Sequence, residues 1–163
     1  MTTMSADFVG IDVGKTWLDV ASSGSEAVWR VPNHEAGVTE ILSSVAALQP
    51  QLIVVEASGG YEQLLVQTLL LNNLPVAVAN PTRVRALAKA TGKLAKTDVI
   101  DARLIAEYAA KVQPEALASK DAQEIHLKAL VTRREQLVEM RAAELNRLGT
   151  VHNSMYTDIQ EHI

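Results

Sequence analysis

Residues 8–22, FVGIDVGKTWLDVAS, decide how this chain begins to fold. Residues 7–13 read as a strand, a mainly apolar run around Gly10 and Asp12. Gly14 and Lys15 make a turn, and residues 16–22, TWLDVAS, then alternate apolar and polar residues. That pattern is a β-hairpin, and Glu26–Val31, after a Ser-Gly-Ser turn, adds a third strand at hairpin spacing. In the first strand Gly10 and Asp12 share one face while Val9, Ile11 and Val13 share the other. Gly10 leaves open space beside the carboxylate. An acidic side chain ending a buried strand is costly unless something cationic holds it.

Working outward, Val38, Ile41, Leu42, Val45 and Leu48 keep helical spacing over His34–Leu48, with Asn33 as the expected N-cap. Gln51–Glu56 reads as a buried strand. A helix over Tyr61–Leu71 is entered through Ser58-Gly59-Gly60, and Leu74–Ala79 is a further short strand closed by Asn80-Pro81. Pro81 suits the first turn of a helix running to about Thr91, where Gly92 stops it. Thr97 is the expected cap of a helix from Asp98 to about Val112, ended by Pro114. The order β-β-β-α-β-α-β-α-α predicts an α/β fold with a mixed sheet, an antiparallel meander followed by parallel crossover strands. A ribonuclease H-like fold, with flanking helices, has this layout.

The remainder differs in kind. From about Asp121 one long helix is expected, with Val131, Val138 and Leu145 recurring every seven residues. Arg134 and Arg141 stand where a strict seam would be apolar, so the pattern is that of an imperfect coiled coil. Roughly 30 or more helical residues, about 45 Å, would overhang a domain of this size. Residues 1–115 are therefore read as the catalytic domain and 116–163 as a helical arm that pairs with a second copy of the chain. Ile163 follows no helix-stop signal, and the chain is expected to be cut inside that arm.

With 163 residues and 48% hydrophobic content the chain can build a full core. It has no cysteine, which excludes disulfides, thiolate metal sites and a cysteine nucleophile. The N-terminus lacks the layout of a signal peptide. The most apolar stretch, Leu64–Ala79, is broken by Gln67, Thr68, Asn72, Asn73 and Pro75, so no membrane span is expected and the location should be cytoplasmic. The net charge of −4 is unevenly spread. Residues 1–79 carry a net −6 and residues 104–163 a net −2, whereas residues 80–103 carry a net +4. The cationic residues there are Arg83, Arg85, Lys89, Lys93, Lys96 and Arg103, and they lead into Asp98 and Asp101. A basic patch beside an acidic pocket suits a polyanion whose backbone approaches a metal; the alternative is a solvated helix face. Aromatic content of only 4% argues against single-strand stacking as the main binding mode.

The acidic residues that matter are Asp12, Glu56, Asp98 and Asp101. If the first strand and the Gln51–Glu56 strand are parallel neighbours, Asp12 and Glu56 project side by side at their C-terminal ends, where open α/β sheets place ligands. Asp98 and Asp101, at i and i+3, share the first turn of a helix. Hard divalent cations such as Mg²⁺ take carboxylate oxygens and keep positions open for phosphate. Each residue has an ordinary alternative: a turn aspartate, a strand-end surface glutamate, two helix-start carboxylates. Four independent explanations must then hold together. Asp19 and Glu62 are expected to lie outside this pocket. GIDVGKT is not a Walker phosphate loop, since three residues rather than four separate its glycines and a strand rather than a helix follows. An actin-like kinase also opens on an Asp-x-Gly hairpin, but needs two such lobes.

Taken together, GIDVGK, VVEASGGYE and ANPTRVRALAKATGKLAKTDVIDARLIAEYA resemble the N-terminal domain of the DEDD transposases of the IS-one-ten insertion-sequence group, which is similar also to Piv-type DNA invertases. The resemblance covers roughly residues 7–112. It implies a RuvC-like fold, an acidic tetrad at Asp12, Glu56, Asp98 and Asp101, Mg²⁺ as cofactor with Mn²⁺ as a substitute, and DNA as substrate. It implies also, for some members, a structured guide RNA, and a downstream domain bearing a nucleophilic serine. The competing readings are a metal-binding oligomerisation scaffold without catalysis of its own, and another RuvC-like nuclease.

Overall fold

The computed structural model describes residues 7–92, 98–148 and 156–162. Strands β1 (Phe8–Val13), β2 (Trp17–Ser22) and β3 (Val28–Pro32) come first, then helix α1 (Glu35–Leu48), β4 (Leu52–Glu56), α2 (Gln63–Leu71), β5 (Val76–Ala79) and α3 (Pro81–Ala90). Helices α4 (Asp98–Val112), α5 (Ser119–Leu148) and α6 (Tyr156–His162) complete the order. The chain divides into two compact units, Met1–Ala122 and Gln123–Ile163.

The first unit is a five-stranded mixed sheet in the order β3-β2-β1-β4-β5. β1–β2 and β2–β3 are antiparallel, while β1–β4 and β4–β5 are parallel, as the meander-then-crossover reading expects. The central β1 is flanked by its hairpin partner on one side and by the first crossover strand on the other.

The strand alternation divides the core. Val9, Ile11, Ile53 and Val55 turn to one face, and all four are fully buried. The helices α1 and α2 pack on each other, on β3 and on β5, and bury Val38, Ile41, Val45, Leu65 and Leu69. On the other face, Phe8, Leu52, Val54, Ala77 and Ala79 form one cluster with Val84 and Ala88 of α3 and with Leu104, Ile105, Tyr108 and Ala109 of α4.

Gly10 explains how closely α4 approaches. A Cβ built there would lie 2.1 Å from the Ala106 amide nitrogen and 2.5 Å from the Ala102 carbonyl oxygen. The helix backbone thus rests on the strand backbone, and only glycine fits between them. Ala102 and Ala106 continue this small-residue contact onto Ala21 of β2. Beyond α4, the Leu117 N–H donates to the Val76 carbonyl at the start of β5 (2.7 Å), so the helix leaves the sheet at the amino ends of the parallel strands. Its first turn therefore stands at their carboxyl ends.

Helix boundaries follow local chemistry. Asn80 caps α3 by accepting from the Thr82 N–H at 2.8 Å, with Pro81 in the first turn, as its sequence suggests. At α1 the expectation fails: the N-cap position is His34, without a side-chain bond, and Asn33 is used elsewhere. Helix α2 begins at Gln63 rather than Tyr61, because the preceding residues form a turn with Gly59 and Gly60 at φ of 73° and 114°. Thr97, the expected cap of α4, lies outside the described residues. In the second unit Val131, Val138 and Leu145 of α5 are each about half exposed. No helix among the described residues is long and apolar enough to cross a membrane.

Candidate metal centre

β1 and β4 pair in register, Gly10 beside Val54 and Ile11 beside Val55. One residue further, the same register sets Asp12 beside Glu56, on the Gly10 face and at the carboxyl ends of both strands. Strand neighbours lie about 4.8 Å apart, so the two carboxylates leave the sheet together. Both residues are half-buried, as is Asp101. Asp101 lies one turn before the sheet-facing Ile105, in the first turn of α4, and thus at the strand ends that carry Asp12 and Glu56. Asp98 is the first residue of α4, and its side chain lies outside the described residues.

The sequence sets Asp19 apart from this group; the structure adds that it is the cross-strand neighbour of Asp12. The β1–β2 register pairs Asp12 with Asp19, and antiparallel partners share a face. Asp19 is buried, 6% exposed, and is tied to the next strand: Arg30 donates from Nε and Nη2 to its two carboxylate oxygens, both at 2.8 Å. A bidentate guanidinium is the strong form of this pairing, and it compensates a carboxylate that could not otherwise be buried charged. Arg30, Asp19, Asp12 and Glu56 therefore form one row across four strands. Sequence alternation puts Asp19 and Asp12 on parallel stripes, but only the register shows them opposite each other.

Glu62 has a different task. Its Oε2 accepts from the Ser58 N–H (3.1 Å), the Gly60 N–H (2.9 Å) and the Ser58 hydroxyl (2.9 Å), folding the loop after Glu56 around one carboxylate. Burial pushes its carboxyl up, but the hydrogen bonds from its own N–H and from Ser58 and Gly60 outweigh that and hold it below the ordinary glutamate range. Asn33 links this loop to the hairpin. Its Nδ2 donates to the Gly14 carbonyl (2.9 Å) and the Tyr61 carbonyl (3.1 Å), and its N–H to the Thr16 carbonyl (2.9 Å). An asparagine before a helix suggests a cap, and nothing local distinguishes that from a bridge to a loop 28 residues away.

Of the basic residues, Arg83, Arg85 and Lys89 are exposed together on α3. Arg103 is set apart, its guanidinium bonding the Glu26 carbonyl and lying 3.2 Å from the Glu26 carboxylate. Lys93 and Lys96 lie outside the described residues.

The donor set is all carboxylate oxygen, the chemistry that Mg²⁺ accepts, and it fits that ion better than a thiolate- or imidazole-seeking one. Among the described residues no three acidic or histidine side chains form a complete ion-holding group.

A mixed five-stranded sheet, helices on both faces and acidic residues at the carboxyl edge of its central strands define a RuvC-like domain. Among solved structures, T. thermophilus RuvC in complex with a Holliday junction substrate aligns with a TM-score of 0.50 at 15% identity, over 69% of this chain and 99% of that one. The chain belongs to the DEDD transposase family of the IS110 type, whose model, described as transposase, matches residues 9–156. It is also 30% identical over 166 residues to the pilin gene-inverting proteins of Moraxella lacunata and Moraxella bovis. Those alignments take in 95% of this chain and 51% of each relative, so the chain spans about half the length of the curated relatives it matches.

Proposed function

We propose that this chain is the metal-binding catalytic portion of a DNA transposase or recombinase, and that Asp12, Glu56, Asp98 and Asp101 hold Mg²⁺, with Mn²⁺ as a substitute. The observation that supports this reading is the parallel register of β1 and β4, which, continued one residue past Ile11 and Val55, brings Asp12 and Glu56 to neighbouring strand ends. Two adjacent carboxylates repel each other, and a divalent cation turns that repulsion into binding energy. A divalent ion held by these carboxylates would supply Lewis-acid polarisation of a scissile phosphate and charge stabilisation on the attacking and leaving oxygens. The chain's own part is to fix the donors. Paired strands hold Asp12 and Glu56, α4 carries Asp98 and Asp101, and the Gly10 contact locks α4 to β1.

Arg83, Arg85, Lys89, Lys93, Lys96 and Arg103 are assigned to nucleic-acid backbone, where they neutralise phosphate without reading sequence. The likeness to pilin gene-inverting proteins supports DNA as the substrate. The attacking group is assigned to a serine of a downstream domain, and a structured RNA is assigned as guide, both on family resemblance. Residues 1–115 carry the chemistry. Residues 116–163 form an arm whose Val131, Val138 and Leu145 meet a second copy, and the assembly works in the cytoplasm.

The test is a Mg²⁺ titration followed by thermal melting. Ligand at a hundredfold excess over its dissociation constant stabilises by about 2.7 kcal/mol. Asp12→Asn should relieve repulsion and abolish the metal response together. A wild-type melting temperature that ignores both Mg²⁺ and Mn²⁺ refutes the metal centre.

A further inference from the structure

Trp17 opens β2 on the same face as Asp19, two residues along, and so on the face of Asp12 and Glu56. The other five residues of β2 are buried, yet Trp17 is 48% exposed. Its Cα lies about 7 Å beyond Asp19, past the end of β1, at the rim of the acidic row. A large ring in water at that position is not needed for the core. The second exposed aromatic nearby is Tyr61, also 48% exposed, in the loop that follows Glu56. The Asn33 amide bridges the carbonyls of Gly14 and Tyr61, and the Gly14 N–H donates to the Trp17 carbonyl at 2.9 Å. Both rings thus sit on segments that continue from the candidate metal-binding strands, and one side chain clamps those segments together.

We propose that Trp17, supported by Tyr61 on the clamped loop, is a stacking site for an unpaired DNA base next to the phosphate that a cation at the carboxylates would hold. The inference rests on the proposed reading of the acidic row as a phosphodiester site. Every base has an aromatic face, so such a contact tolerates any sequence, and it requires a base that has left the duplex. Two rings make a local stack rather than a track, in keeping with the low aromatic content. The main affinity remains electrostatic.

The experiment compares a forked DNA oligonucleotide, carrying unpaired 2-aminopurine at the branch, with a fully paired duplex of the same sequence. The fork should quench Trp17 emission, read as the difference between wild type and Trp17→Phe, and the duplex should not. Trp17→Ala should weaken fork binding about tenfold, within the range of one base–aromatic stack, and leave duplex binding within about twofold. Trp17→Phe should recover most of the loss. Equal weakening of fork and duplex, a Phe variant no better than Ala, or no quenching by the fork overturns the proposal. The Mg²⁺ melting shift is measured on the same variants. If it is absent in wild type while the fork still quenches, the metal reading fails and the stacking site stands. If it persists in Trp17→Ala with no fork-specific loss, the stacking site fails alone.

Discussion

Asp19 stands directly across the β1–β2 ladder from Asp12, with both of its carboxylate oxygens gripped by Arg30. The strand row therefore carries three carboxylates, of which Asp19 is compensated by a neighbouring strand. Both Asp19 carboxylate oxygens are thereby occupied by Arg30, on the side of the row away from Glu56. The pair is a border to the acidic site.

Arg30→Met keeps the side-chain stem and removes the compensation. The Arg30 side chain is 44% exposed, so the loss should fall below the ~3–5 kcal/mol of breaking a fully buried pair, at about 2 kcal/mol. The freed Asp19 carboxylate should also enlarge the Mg²⁺-dependent stabilisation. Urea denaturation with and without Mg²⁺ checks both, and an unchanged metal response would show that Asp19 is electrically remote from Asp12.

Gly10→Ala should be among the most damaging single-methyl changes available. The new Cβ meets helix backbone at 2.1 Å, which no rotamer change can relieve, so α4 must shift. Overpacking of this kind costs about 3 kcal/mol or more. Because α4 also carries Asp101, two of the proposed ligands would move with the helix, and the variant should lose the metal response that the proposed function expects. Thermal melts with and without Mg²⁺ read both effects.

Replacing Arg83, Arg85 and Lys89 by Gln should weaken DNA binding across sequences and flatten its salt dependence. The log–log slope should fall by roughly one unit for each phosphate that is no longer neutralised. Lys111, which is already paired with Glu107 at 2.7 Å, and Lys128 serve as controls whose replacement should change little. Equal effects from the two sets would make the α3 cations a solvated face.

Glu62 gives a pH test. Its folded pKa is lowered, so the stability it contributes is fully present above the ordinary value of 4.5 and is lost as pH falls through the folded value. Glu62→Gln should be less stable than wild type at neutral pH, and the gap should narrow on acidification below 4.5. Urea denaturation from about pH 3 to 7 follows it. A gap that is constant throughout would mean that the Ser58–Gly60 loop does not depend on the carboxylate.

Much of the molecule is legible in the residues themselves. The hairpin, the parallel crossovers and the α3 start follow from apolar period and turn chemistry, and the side-by-side Asp12 and Glu56 follow from where two apolar runs end. What escapes has a common cause. Asp19, Asn33 and Glu62 act through partners fixed by register or by loop closure, and the side chains themselves are ambiguous: an aspartate between apolar neighbours looks like a solvent-facing alternation, and an asparagine before a helix looks like a cap. In sequence Gly10 reads as leaving room for a carboxylate, whereas the room is taken by the backbone of α4.

The bond from Leu117 to Val76 bears on how the chain can be shortened. Val76 belongs to the outermost strand, and an unsatisfied carbonyl on such a strand invites pairing with a foreign chain. A fragment ending at Val112 would keep α4 whole yet strip Leu117 from that edge, and should self-associate through β5 as it is concentrated. A fragment that retains Leu117 keeps that carbonyl paired, so solubility rather than the end of α4 sets the shortest useful piece.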